Sequence, residues 1–216
     1  MKKTIAFIIC ALTVALSLVS CAVGTLDYSS FEFVNDAERI ESLKKELLSY
    51  PVGADISSLV EQLKSEGCVI YDYESGITGY SRLCGFYEKT QRGMSDELKY
   101  ALRIPKKVSP INEELLHISA IYYDGEIFTQ MSRDIRVRKI DPINRFKYLK
   151  REKLERADFN GYAAKEHFYL VNDDSKSWDD IEKQMYSSVL SSSFDAIAGL
   201  KEPYFQWSSV VSLHYG

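Results

Sequence analysis

Several things are scarce in this chain, and each scarcity narrows what it can be. Beyond residue 23 no apolar run approaches the ~18 residues of a membrane-spanning helix, which excludes a multi-span helical membrane protein. There are three histidines, His117, His167 and His214, and no two of them share a metal-ligand spacing. No G-x-S-x-G, H-E-x-x-H, G-x-G-x-x-G or phosphate-loop motif occurs. Glu114-x-x-His117 has half the spacing of a di-iron ligand set but no second such pair. Ser42-x-x-Lys45 has the spacing of a penicillin-binding nucleophile but lacks the later S-D-N and K-T-G elements. No internal repeat is present, and Ser191-Ser192-Ser193 is the single low-complexity tract. The expectation is that catalytic residues, metals and cofactors are all absent.

What is present is the composition of a folded globular protein: 216 residues, 45% hydrophobic and 27% charged. The chain starts with Met1-Lys2-Lys3 and continues with an apolar stretch from Ile5 to Val19, broken by Thr13 and Ser17. This is the layout of a secretory signal and is short for a membrane span; an uncleaved anchor helix is the alternative. The stretch ends in Leu18-Val19-Ser20-Cys21, which resembles the lipobox of bacterial lipoproteins. That resemblance implies a diacylglycerol on Cys21, loss of residues 1–20 and further acylation of the new amino terminus. Two or three acyl chains anchor stably where one is marginal. Residue 22 is alanine and not aspartate, which in enteric lipoproteins implies the periplasmic face of the outer membrane rather than the inner membrane. Plain secretion without lipid is the bland alternative. Residues 21–30 read as a short tether, and 31–216 as a single α+β domain.

Cys10 falls in the signal and Cys21 in the lipobox, leaving Cys68 and Cys84. An oxidising compartment and an intervening turn with Gly76 and Gly79 suggest a disulfide between them, with two buried thiols as the alternative. The net charge of −4 becomes −6 once Lys2 and Lys3 are removed. It is uneven: residues 133–156 hold ten Lys or Arg against four Asp or Glu. Arg136, Arg138, Lys147, Lys150 and Arg151 are the candidate basic surface for an acidic partner. The alternative is internal pairing with the acidic run Asp173, Asp174, Asp179, Asp180 and Glu182. Nucleic acid fits poorly with an exported, net acidic chain.

Periodicity predicts helices after Asn35-Asp36 and after the cap Asp55, the second ended by Gly67. Strands are expected at 68–73, 83–89, 116–123 and 126–131, the last two joined at Asp124-Gly125. Leu98–Ile104 reads as helix or strand, and Ile135-Arg136-Val137-Arg138 as a continuation with Ile135 and Val137 inward. Asp141-Pro142 predicts a basic helix carrying Ile143, Phe146, Leu149 and Leu154. A strand at 162–171, a helix capped by Ser177 and Asp180, and a strand alternating through Phe205, Trp207, Ser209, Val211, Leu213 and Tyr215 complete the chain. The 15 tyrosines, Tyr71, Tyr73, Tyr80, Tyr87, Tyr122, Tyr123 and Tyr186 among them, suit a sheet or an aromatic binding surface.

Tyr50-Pro51-Val52-Gly53, the helix Ile56 to Glu66, Gly67 and the strand from Cys68 resemble the outer-membrane lipoproteins of the SmpA/OmlA type, with their β-lactamase-inhibitor-protein-like fold. The likeness covers residues 36–138. The chain departs from that family at Ser65-Glu66-Gly67, where a Gly-x-Pro is usual. The resemblance implies a binding or scaffolding role by fold analogy and carries over no functional residues. The expected architecture is α+β: an antiparallel sheet with N-terminal helices on one face and further helices and a strand at the C-terminal end. The expected function is a lipid-anchored envelope protein that binds a protein partner without catalysis. A periplasmic immunity or inhibitor protein is the alternative, and an envelope hydrolase with a dispersed site a further one.

Overall fold

The computed structural model describes residues 37–109, 111–154, 164–190 and 205–214. The signal, lipobox and tether lie outside these residues, as does the side chain of Tyr186. The described elements all belong to one compact unit, Asn35–Gly216. It begins with α1 (Ala37–Ser49) and α2 (Ile56–Ser65). Asp55 caps α2 as its position suggests, its carboxylate accepting the Ser58 N–H at 2.8 Å. Gly67, at φ 78°, turns the chain into β1 (Val69–Asp72). Leu43 and Leu47 of α1, and Leu59, Val60 and Leu63 of α2, bury against one face of a sheet, contributing about 1.5–3 kcal/mol each.

That sheet has six strands in the order β2-β1-β3-β4-β5-β6, and a second sheet has three, β7-β8-β9. The architecture is therefore α+β, with two sheets where one was expected. In the first, β2 (Gly76–Thr78), β3 (Asp96–Ile104), β4 (Leu115–Tyr123), β5 (Phe128–Asp134) and β6 (Asn144–Phe146) pair antiparallel, except that β1 and β3 run parallel. Between the parallel pair lies α3 (Tyr80–Gln91), which corrects the strand expected at 83–89. Leu83 and Phe86 insert into the sheet core while Tyr80 and Tyr87 meet Phe168 of the second sheet edge-on. Aromatic residues at helical spacing thus serve two layers at once. Gly79 opens α3 at φ 81°; a Cβ there would come within 3.3 Å of the Val69 backbone.

Residues 144–152 correct the expected basic helix. They form β6 and β7 (Tyr148–Glu152), one extended segment that leaves the first sheet at Lys147 and joins the second. The corner explains the misleading pattern. Phe146 and Leu149 both point into the core across it, so their spacing of three imitates a helical turn. Asn172 staples the corner, accepting the Lys147 N–H at 2.9 Å and donating to the Arg145 oxygen at 3.2 Å.

In the second sheet β8 (Ala164–Val171) pairs with β7 and with β9 (Trp207–His214). α4 (Trp178–Leu190) covers the outer face, its start closed by Ser177 and Asp180 as predicted. Trp178 and Ile181 bury beneath it, while Met185 is exposed. Alternation along β9 is interrupted. Phe168 faces Val211 but Tyr169 faces Ser209, so Val210 is a bulge. Trp207 therefore packs under α4, while Val211 and Leu213 face the core between the sheets. At 135–138 the chain turns instead of continuing β5: Ile135 is buried and Val137 is 49% exposed, against the expectation that both face inward.

Candidate functional site

The space between the sheets is filled at one end and open at the other. α3, Ile121, Tyr123 and Phe128 fill the first end. At the second lies a cleft of about 400 Å³, within the range of about 300–1,000 Å³ usual for ligand pockets. Strand register builds its floor. Tyr100, Ser119 and Ser132 stand abreast on β3, β4 and β5. Tyr71, Leu102 and His117 form the next row. Gln130 and Asn144 are cross-strand neighbours on β5 and β6. Each sits on the parity that faces the second sheet.

The floor is held by its own hydrogen bonds. Gln130 Nε2 donates to the buried Tyr100 hydroxyl at 2.7 Å. Burial raises the Tyr100 pKa, so the phenol remains neutral and able to donate. Asn144 Oδ1 accepts from Gln206 Nε2 at 3.2 Å, tying β6 to the start of β9. At the mouth the Tyr73 ring is 54% exposed and leans on Tyr71, with centroids 5.6 Å apart and planes at 55°. The lining holds no carboxylate, ammonium or guanidinium.

The opposite wall is β9, which contributes every residue from Ser208 to Ser212. Side chains of a strand alternate between faces, so five consecutive lining residues mean that the strand meets the cleft along its edge. Ser212 also contacts His167, its Oγ 2.9 Å from Nδ1. This is not a nucleophile–base pair aimed into the cleft. His167 lies on the α4 side of the sheet, 1% exposed, with its ring stacked 3.9 Å from Trp178.

The sequence-predicted site residues are scattered. Arg136 is held by Asp134, with Nη2–Oδ2 at 2.5 Å, and by Glu113. Lys150 donates to the Asp174 and Lys176 main-chain oxygens at 2.7 and 2.9 Å and lies 3.7 Å from the Asp174 carboxylate. Its neighbour Arg151 points to the other face, toward Glu166 at 2.6 Å and the Tyr80 hydroxyl at 2.9 Å. Lys147 stands 5.4 Å from the Tyr148 ring centroid, and Arg138 is exposed. Three of the five are thus engaged internally. One of those contacts, Lys150 with Asp174, is with the acidic run considered as the alternative.

Cys68 and Cys84 are both free thiols. Cys68 is buried under α1 and α2, and Cys84 packs from α3 on the opposite side of β1. The hairpin expected to bring them together is not formed, because its second strand is α3. Burial pushes the Cys68 thiol up to about 11. Ser42 joins the Arg39–Glu46 network, accepting from Arg39 at 3.2 Å. Glu114 is taken by Arg103 at 2.6 Å, apart from His117. Among the described residues no group of three or more metal-ligating side chains gathers.

The cleft was missed from sequence because it draws on β1, β3, β4, β5, β6 and β9. One signal did exist: His117 and Ser119, then Gln130, Ser132 and Asp134, are polar residues on an inward parity that otherwise carries Leu115, Ile121, Tyr123 and Phe128. In comparisons with protein-family models, curated proteins and solved structures, nothing matched the chain.

Proposed function

We propose that the chain is a lipid-anchored protein of the bacterial cell envelope that binds a macromolecular partner without transforming it, and that the inter-sheet cleft is where binding occurs. The anchoring half rests on Leu18-Val19-Ser20-Cys21 behind an apolar signal. The observation that carries the binding half is the cleft: concave, lined by phenol, hydroxyl and amide groups and one imidazole, with an exposed tyrosine at its mouth. Tyrosine offers apolar area and a hydrogen bond with little entropy to lose, which is why it dominates binding surfaces. A fixed array of phenol, hydroxyl and amide groups suits holding and orienting a ligand.

Two measurements test the two halves. Cys21→Ser should abolish the mass added by acylation and release the protein from membranes; unchanged mass and continued attachment would sink the anchoring half. A photo-crosslinking residue at position 73 should capture a defined envelope partner, and one at exposed Met94 should not. Equal capture at both positions would sink the assignment of the cleft.

A further inference from the structure

The four sheet edges are not alike, and the difference identifies what the cleft accepts. An open edge presents unpaired N–H and C=O groups to any passing strand, and natural proteins blunt it with short strands, charge or proline. Here β2 and β6 are three residues each. β7 carries Lys150, Arg151 and Glu152. β9 is different. Trp207–His214 reads WSSVVSLH, eight residues with no proline and no charge of fixed sign, rich in strand formers. It is outermost in its sheet among the described strands, and its edge faces the cleft. Its protection is the bulge at Val210, which divides the edge into two short runs, and the short strand β2 of the first sheet, which lies close to part of β9.

We infer that the edge of β9 is a docking strand, and that the cleft receives an extended, uncharged segment of a partner protein that pairs with it by main-chain hydrogen bonds. This inference rests on the binding reading above and specifies its chemistry. Strand addition takes affinity from the backbone and specificity from pockets for alternate side chains. Both are present: the edge supplies donors and acceptors, and the floor opposite supplies Tyr100, Gln130 and Ser132 to side chains of one parity. A second copy of this chain fits less well. The edge opens onto a cleft floored by the other sheet, so a second copy would have to bring its folded body in between the sheets along with its edge. A charged segment would lose hydration where the lining offers hydroxyls, amides and one imidazole, His117, but no carboxylate, ammonium or guanidinium.

The test uses the full mature chain in detergent and a randomised heptapeptide library displayed on phage, followed by the strongest binder as a free synthetic peptide. N-methylation of alternate peptide bonds should weaken binding at least tenfold in one register and less than twofold in the other, the signature of an added strand. Leu102→Trp, which fills the cleft from the floor, should abolish binding while circular dichroism and the unfolding midpoint confirm its fold. Three results overturn the inference: peptide binding indifferent to N-methylation, a concentration-dependent dimer abolished by Leu102→Trp, or cleft-dependent binding of neutral oligosaccharides instead of peptides. If any of these occurs while position 73 still captures an envelope partner, the binding reading survives and strand addition alone is lost. Failure of both lipidation and capture removes the reading itself.

Discussion

The Arg133 guanidinium donates from Nη1 to the Tyr50 main-chain oxygen at 2.8 Å. The same nitrogen reaches the Leu47 oxygen at 2.7 Å, and Nε reaches the Val137 oxygen at 2.7 Å. A fully buried cation on β5 therefore closes the C-terminal end of α1, where unpaired carbonyls concentrate negative charge. Burial, with Arg138 nearby, lowers the Arg133 pKa, yet the group is far too basic to release its proton. Arg133→Met should lower stability by about 3 kcal/mol, since it strands acceptors under α1. Urea unfolding would show a lower midpoint with an unchanged slope. Arg133→Lys should rescue little, because an ammonium cannot span acceptors set in a fork.

A second prediction concerns the tie between α3 and the second sheet. Glu166 is 3% exposed and receives Arg151 Nε at 2.6 Å and the Tyr80 hydroxyl at 2.5 Å. Arg151→Met alone leaves a buried carboxylate facing a phenol, with the exposed Lys153 ammonium 3.9 Å away, and should cost about 3 kcal/mol. Arg151→Met combined with Glu166→Leu should recover most of that loss. A double-mutant cycle by denaturant unfolding measures the coupling, and strict additivity would contradict it.

The acid limb of stability should carry the signature of Asp96. Burial alone would raise its carboxyl, but hydrogen bonds from Arg82 at 2.9 and 3.0 Å and from the Glu97 amide outweigh it and hold the pKa low. Asp134 is likewise held low, chiefly by Arg136. A carboxylate depressed in the folded state stabilises fully above its unfolded pKa of about 3.9 and loses that contribution as pH falls through the folded value. Stability should therefore fall as pH drops below about 4. Asp96→Asn should flatten the fall, as read from unfolding midpoints across that range.

Thiol chemistry separates the two cysteines. In the folded protein Cys84, partly exposed, should react with a maleimide well before Cys68, which is 3% exposed and has a raised pKa. After unfolding without reductant both should label. A pair that resists labelling until reduced would show a bridge that the structure does not contain.

The sequence was most legible where one segment answers to one neighbour. α1 and α2 each bury a single stripe, and Asp55, Ser177 and Asp180 cap as their local spacing suggests. Legibility failed where a residue serves two layers. Tyr80, Leu83, Phe86 and Tyr87 look like a strand because they are aromatic and apolar on several sides, and they are so because α3 lies between two sheets. The bulge at Val210 hid the change of face along β9 in the same way: a pattern read as continuous alternation describes two faces in succession. The basic segment misled because charge was counted along the chain. In a strand, neighbours such as Lys150 and Arg151 belong to opposite surfaces.

Lys147 is the one residue between β6 and β7, so the two sheets are successive lengths of a single ribbon folded at a corner. The gape of the cleft is then a bending angle of that ribbon. Asn172 braces the inside of the bend, and Gln206 links Asn172 at 3.0 Å to Asn144 on the cleft floor. Whatever enters beside β9 must either fit the angle as it stands or work against those two amides. Exchange of the Lys147 amide proton, whose acceptor is the Asn172 side chain, becomes a gauge of how far the corner has opened.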